Sequence, residues 1–446
     1  MNTLIVTLDA VRRDHLSQYG YDRDTLPAAD RLLKAGGVTF DQAIVNGTYT
    51  GISLPSLLTS RYDGDSAVRS GPTLGSALPD NVRTGAIHSN TFFASKFDDV
   101  YGMDVYEDFV GQASHDEAVP TTNKLARRLF DTVRPTLQRT GLFEVARTIQ
   151  ETVVPASLIH EVAVFESAET TTDRALEFVR QAEEPFCLWV HYMDPHRPYA
   201  INADSPAYAP DLGRSEILDL MASAGVEPET IDDDQRTLLV DLYDSAIRYT
   251  SQHVSRLFDG LADDGLWDDT SVVLTADHGE EFGEHGLYFH RNRPYDELVQ
   301  VPMFMKTPDG TPELPSRVTE QRELLDIAPT VCRLHGVEPP AAFLGKDLRE
   351  STTREPITRG SFADDVPVVA VRAAGWKYID IGEDAELYDL DVDPDEQHDL
   401  SVDNPAKRHA YRSKIPGRLL EDGDSGVPDD VTDNARERLE ELGYLE

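Results

Sequence analysis

Asp277-His278-Gly279 closes the run Ser271-Val-Val-Leu-Thr-Ala-Asp-His-Gly-Glu280, where an apolar, β-branched stretch ends on two side chains able to hold a metal. Carboxylate and imidazole together suit a divalent ion, and the glycine lets the backbone turn sharply after them. The chain opens in the same way: Thr3-Leu-Ile-Val-Thr-Leu8 reads as a buried strand and delivers Asp9 at its end. In an open α/β sheet, ligands bind in the crevice beyond the carboxyl ends of the strands. Two segments far apart in sequence can therefore bring Asp9, Asp277 and His278 onto one ion. Such a site is suited to metal-dependent hydrolysis.

The elements that must hold these residues read as an α/β protein, because strand-length apolar runs alternate with helix-like stretches. Leu26-Pro27 to Lys34 reads as a helix with Pro near its start and Gly36-Gly37 past its end. Thr170 to Glu183 is a second helix, Phe186 to Tyr192 a buried strand, and Asp244 to Leu261 an amphipathic helix. Val301 to Lys306 is a further strand and Leu324 to Leu334 a helix. The expected division is a catalytic domain over 1–355 and a C-terminal subdomain over 356–446. In the latter, Val366–Val371, Trp376–Ile381 and Glu386–Leu390 form a small antiparallel sheet, with a polar surface helix or tail after Ser401. Within the first part, 121–164 looks like a helical insertion and 204–234 is acidic and irregular.

Composition narrows the setting. The 446 residues carry 81 acidic and 41 basic side chains, for a net charge of −40, and only eight of the basic ones are lysines. The acid is spread along the chain, which argues against a disordered acidic arm and for a surface adapted to high salt. Nucleic acid is excluded as a ligand class for such a surface. Cys187 and Cys332 each lie in an apolar run, outside any metal or redox spacing, so both read as small core residues. The first strand begins at once, without a secretory leader, and no run of 18 apolar residues occurs. A cytoplasmic protein with no transmembrane segment is expected; its oligomeric state is open.

Taken in order, the motifs resemble the sulfatase-like branch of the alkaline phosphatase superfamily, over nearly the whole chain. Leu4-Ile-Val-Thr-Leu-Asp-Ala-Val-Arg-Arg-Asp-His-Leu16 with Tyr19-Gly20 is similar to the family's opening strand and metal loop. Thr50-Gly-Ile-Ser-Leu-Pro-Ser-Leu-Leu-Thr59 resembles its nucleophile loop and helix, and His191-Tyr-Met-Asp-Pro-His-Arg-Pro-Tyr199 its mid-chain substrate motif. Asp277-His-Gly, Gly283-Glu-His-Gly286, Val301-Pro302, Asp326-Ile-Ala-Pro-Thr330 and Glu386-Leu-Tyr-Asp-Leu390 follow in family order. The resemblance implies an alkaline-phosphatase-like α/β/α sandwich with a large mixed, mostly parallel sheet. It also implies a bound divalent ion and ester hydrolysis.

Two departures bear on mechanism. Family sulfatases carry Asp-Asp after the first strand, and here the second position is Ala10. Their nucleophile box is Cys-x-Pro-x-Arg, with the Cys or Ser oxidised to formylglycine. Aligned on Ser56-Leu-Leu-Thr59, this chain has Thr50, Ile52 and Leu54 at those three positions. Threonine cannot be oxidised to an aldehyde, so the modification is excluded there. Threonine nucleophiles occur in phosphodiesterase, phosphonoacetate hydrolase and lipoteichoic acid synthase relatives. A threonine at this position places the resemblance with the threonine-nucleophile branch and is similar to archaeal sulfatase-like hydrolases.

The resemblance and the chemistry together assign Asp9, Thr50, Asp277 and His278 as ligands of one divalent ion, Mn, Mg or Zn ahead of Ca. Thr50 is the expected nucleophile, with Thr48 and Ser53 as alternatives. His196 is placed to contact the transferring group or protonate the leaving oxygen. His290 matches a position where the family often holds a cationic Lys and would stabilise equatorial oxygens. Asn90 is a pocket-lining residue or an ordinary turn asparagine. His191, within an apolar strand, reads as a satisfied core histidine. The function expected is hydrolysis of a sulfate or phosphate/phosphonate ester, small-molecule or on a glycan or lipid, with phosphoesters preferred. A phospho-alcohol transferase acting on a glycan or lipid acceptor shares the first half-reaction. A non-catalytic binding protein is the third reading, disfavoured by the intact ligand set.

Overall fold

The computed structural model describes residues 1–62, 71–90, 101–109, 165–182, 185–290, 293–308, 314–351, 353–360, 366–373 and 375–421. In chain order its strands are β1 Asn2–Leu8, β2 Val38–Ile44, β3 Arg83–Ile87, β4 Val105–Glu107, β5 Phe186–Tyr192, β6 Thr270–Ala276, β7 Glu281–Phe282 and β8 Tyr288–Phe289. There follow β9 Gln300–Lys306, β10 Arg317–Val318, β11 Arg322–Glu323, β12 Ile357–Arg359, β13 Val369–Ala373, β14 Trp376–Ile381 and β15 Asp384–Asp389.

Nine of these form one sheet, ordered β10-β2-β9-β6-β1-β5-β3-β4, with β11 also paired to β2. Every pairing in it is parallel except those of β9 with β2 and with β6. The sheet is therefore mixed and mostly parallel. Strands β1, β5 and β6 are buried along their whole length, as strands covered on both faces must be, and this is why they read as continuous apolar runs. Helices Pro27–Lys34 and Ala168–Gln181 each pack on Asp233–Asp263, while Thr50–Thr59, Leu74–Ala77 and Ile327–Leu334 pack on one another. The two groups are the outer layers of an α/β/α sandwich.

The smaller sheet, β12-β13-β14-β15, is antiparallel throughout. Its side chains alternate between two apolar cores. Val369, Val371, Tyr378 and Leu387 join Tyr62 and Leu325, while Val368, Ala370 and Ile379 join Tyr295. Both faces are thus buried, each against residues that precede the small sheet.

Several elements differ from the sequence reading. The stretch 204–234 is not irregular: it contains the helix Arg214–Val226, which buries Ile217, Met221 and Ala224 at helical spacing. Acidic residues around that narrow stripe hid it. The helix expected from Asp244 begins at Asp233, where Asp232 caps it by accepting from the backbone N–H of Gln235 at 2.8 Å. Its first turns are largely exposed, so apolar periodicity starts late. Leu324–Asp326 is a short 3-10 turn ahead of the helix Ile327–Leu334. After Ser401 comes the helix Pro405–Arg412. The expected insertion 121–164 lies outside the described residues. Among the described residues, no helix is long and apolar enough to cross a membrane.

Candidate active site

Strand order brings the site together. β1 lies between β5 and β6, with Leu8 opposite Ala276 and Tyr192. The ladder runs one residue past each strand end: Asp9 N–H donates to Tyr192 O at 2.9 Å and Asp277 N–H to Leu8 O at 3.3 Å. Asp9 and Asp277 therefore stand side by side on the central crevice. Ala10 adopts the left-handed conformation (φ 56°), unusual for a residue with a Cβ. That turn aims its N–H at Asp277 Oδ1, 3.1 Å away, and His278 N–H reaches the same oxygen at 3.0 Å. The position where the family has a second aspartate thus contributes a backbone donor that fixes Asp277.

Asp9, Asp277 and His278 are fully buried, and one ligand atom from each lies within 4.8 Å of the others. His278 Nδ1 faces Gly279 O at 2.8 Å. A carbonyl can only accept, so Nδ1 carries the hydrogen and Nε2 presents its lone pair. That nitrogen lies 3.8 Å from Asp9 Oδ1 and 3.6 Å from Asp277 Oδ2, and those two oxygens are buried without a hydrogen-bond partner. Three acceptors converging out of water suit a cation, and the donor set fits a divalent ion. Asp9, Asp277 and His278 would hold it.

The electrostatics agree. Burial by itself would raise the Asp9 carboxyl, but His196, the hydrogen bond from His191 and His278 outweigh it and hold the group well below the usual carboxylate range. Asp277 moves the other way: burial and then the adjacent Asp9 raise it. On His278 burial works downward, but Asp277 and Asp9 outweigh it, so the imidazole is raised.

Thr50 is the first residue of the helix Thr50–Thr59, every residue of which is buried. Its hydroxyl donates to Asp9 Oδ2 at 3.3 Å and lies 3.2 Å from His278 Nε2. Of the two alternatives, Ser53 donates its hydroxyl to the Asp277 carbonyl, a structural use, and Thr48 is anchored through its N–H to Arg359 O at 3.0 Å.

His196 and His290 also converge here. The His290 ring centroid lies 4.6 Å from that of His278 and 5.2 Å from that of His196. His196 Nδ1 faces Arg197 O at 2.6 Å, so its hydrogen sits on Nδ1; burial pushes the imidazole down to about 4, with Asp9 opposing. His290 Nδ1 pairs with Glu280 Oε1 at 3.0 Å, and Tyr199 donates to Glu280 Oε2 at 2.7 Å. Burial pushes the Glu280 carboxyl up to about 7 against the pull of His196 and the Tyr199 hydrogen bond. Asn90 donates its amide to Met193 Sδ at 3.4 Å, and Met193 O in turn accepts from His196 N–H at 2.9 Å. Reasoning from sequence missed Glu280 and Tyr199, although both sit inside the quoted motifs. It placed His191 in the core, where it is, without seeing that its Nε2 touches Asp9 Oδ2 at 3.1 Å.

Gly279 permits the turn after His278. A Cβ there would lie 1.9 Å from Glu297 O, a backbone atom, while Gly279 N–H donates to Leu298 O at 2.8 Å. Gly279→Ala is expected to cost roughly 1–3 kcal/mol of stability and to weaken Mn²⁺ uptake by displacing His278. Melting curves with a metal titration check this; an unchanged melting temperature with unchanged uptake would refute it.

Comparison with known proteins bears on the family and the fold. The sulfatase family model matches residues 1–337. Choline-sulfatase of Rhizobium meliloti is 27% identical over 252 residues, which are 50% of this chain and 48% of that one. The chain thus spans about half the length of the curated relatives it matches. A 2-O GAG sulfatase superposes with a TM-score of 0.66 at 18% identity, covering 95% of this chain and 94% of the other. The phosphonate monoester hydrolase of Agrobacterium radiobacter gives 0.62 at 18% identity, over 94% and 95% of the two chains. At such identities the likeness speaks for the fold; the match over residues 1–337 speaks for descent, and the chain belongs to the sulfatase family of the alkaline phosphatase superfamily.

Proposed function

We propose that this chain is a metal-dependent hydrolase of sulfate or phosphate/phosphonate esters that uses Thr50 as nucleophile and prefers phosphoesters. The observation that carries the reading is the Thr50 hydroxyl, seated against Asp9 Oδ2 and His278 Nε2 beside two buried carboxylate oxygens that lack hydrogen-bond partners. When bound, a divalent ion would lower the pKa of the hydroxyl and polarise the ester.

Thr50 then forms an oxygen–phosphorus bond as the bond to the leaving oxygen breaks, giving a threonyl ester. Water attacks the same phosphorus and restores the hydroxyl. His196 carries its hydrogen on Nδ1 and so offers Nε2 as a proton relay: in the first step it passes the proton given up by the Thr50 hydroxyl to the leaving oxygen, and in the second it takes a proton from the attacking water and returns it to the Thr50 oxygen as the threonyl ester bond breaks. His290, held through Nδ1 by Glu280, faces the equatorial oxygens, and Asn90 borders the substrate pocket. Residues 1–355 form the catalytic domain and 356–446 a subdomain. The salt-adapted, cytoplasmic setting belongs to the same proposal.

Phosphoesters are preferred because a formylglycine hydrate releases sulfate by breakdown of its own hemiacetal, a route closed to threonine. A threonine sulfate must wait for water. The test is a panel of aryl phosphodiester, phosphonate and sulfate substrates with Mn²⁺, run with and without an alcohol acceptor. Turnover of phosphodiester or phosphonate above sulfate is expected, with water as the acceptor. Robust sulfate release with no phosphoester turnover would reverse the preference, and product partitioning onto the alcohol would make the chain a transferase.

A further inference from the structure

Asp9 is held by a chain of hydrogen bonds that begins three side chains away. Trp189 Nε1 lies 2.9 Å from Thr7 Oγ1, and an indole N–H can only donate, so Thr7 accepts there. The Thr7 hydroxyl hydrogen has two acceptors in reach: His191 Nδ1 at 2.9 Å and Val190 O at 3.5 Å. The shorter contact makes His191 Nδ1 an acceptor. The ring hydrogen is then on Nε2, which donates to Asp9 Oδ2 at 3.1 Å.

Trp189, Thr7, His191 and Asp9 are all essentially inaccessible to water. The register that pairs β1 with β5 sets Thr7 opposite His191. We propose that Trp189, Thr7 and His191 are a directional relay that fixes one histidine tautomer and thereby turns Asp9 so that Oδ2 is occupied and Oδ1 faces the ion. The inference rests on the ion site proposed above and makes His191 a positioning residue.

The geometry has a definite consequence. Oδ2 receives both His191 Nε2–H and the Thr50 hydroxyl, while Oδ1 is the oxygen without a hydrogen-bond partner. With the opposite tautomer, His191 Nε2 would present a lone pair to a carboxylate. Repulsion would rotate Asp9 and spoil both its ligand oxygen and its contact with Thr50. Hydrogen-bonded groups behind metal ligands commonly contribute 10–100-fold in affinity.

Calorimetric Mn²⁺ titration of the full chain tests this, alongside nitrogen-15 NMR of His191 in the metal-free protein. The expected tautomer has its hydrogen on Nε2, and Thr7→Val is expected to give a mixture of both. His191→Leu is expected to weaken Mn²⁺ binding by roughly 10–100-fold. His191→Gln, whose amide can still donate to Asp9, is expected to stay close to wild type. Should His191→Leu fail to fold, the Gln and Thr7→Val variants and the wild-type tautomer carry the test. A hydrogen on Nδ1 in wild type overturns the relay, as does His191→Leu binding Mn²⁺ as tightly as wild type. Wild type that takes up no Mn²⁺ overturns the ion site and the relay with it.

Discussion

Thr50→Ala is expected to lower turnover of the best ester substrate by at least about 10³-fold, as loss of a nucleophile does elsewhere, while leaving the melting temperature and metal stoichiometry nearly unchanged. The side chain removed is small, and the helix it opens is anchored by buried neighbours along its whole length. Its loss therefore costs chemistry more than packing. Thr50→Ser, which keeps the hydroxyl, is expected to retain part of the activity. Acid-quenched turnover should place the phosphoryl or phosphonyl adduct on the peptide containing residue 50. Near-complete activity in Thr50→Ala would move the nucleophile to Thr48 or to bound water. Ser53 is a weaker substitute because its hydroxyl is already committed to the Asp277 carbonyl.

The second large effect concerns the carboxylates and has opposite signs with and without metal. Asp277 is raised by burial and by Asp9 beside it. A carboxyl raised in the folded state destabilises the fold once pH exceeds its unfolded value, because the folded state resists ionising it. Asp277→Asn removes that cost, so the metal-free variant is expected to melt above wild type at neutral pH, with the gap closing as pH falls toward 4. With Mn²⁺ the order reverses. Wild type gains about 2.7 kcal/mol when free ion is a hundred times its dissociation constant, and the variant loses most of that gain.

Binding is also expected to weaken with acid. The two carboxylates raise His278 despite its burial, and the ion must displace the proton held there. Melting curves and titrations over pH 4–8 read all of these effects. Stoichiometric metal retained by the double change Asp9→Asn/Asp277→Asn would remove the site altogether.

How much could be read beforehand follows from where each signal resides. Asp9 and Asp277 were legible because strands buried on both faces leave long apolar runs, and a polar residue at the end of such a run stands out. The α/β class followed from the same runs. The helix Arg214–Val226 was not legible, because only Ile217, Met221 and Ala224 are buried on it and acidic neighbours dominate the composition. His191 lay in a correctly placed strand, but its use depends on facing Thr7 across β1, and inter-strand register is not written in either segment alone. The Glu280–His290 pair likewise needs the turn between β6 and β8 to fold back. Asp9, Asp277 and His278 were thus visible through their strand ends, Thr50, His196 and His290 through the family resemblance, and the groups packed behind them only through their partners.

The placement of β1 has a consequence for how the chain is made. This strand leaves the ribosome well before its neighbours in the sheet, β5 and β6, which begin at Phe186 and Thr270. At synthesis rates of roughly 5–20 residues per second, on the order of ten to fifty seconds separate Asp9 from Asp277. Until β5 emerges, this buried and largely apolar strand has neither edge filled by its final partner, and through the whole interval no ion can be captured by half a site. Nascent chains arrested before residue 277 should accordingly engage chaperones and ignore Mn²⁺, whereas chains released just beyond His278 acquire both protection and metal in one step.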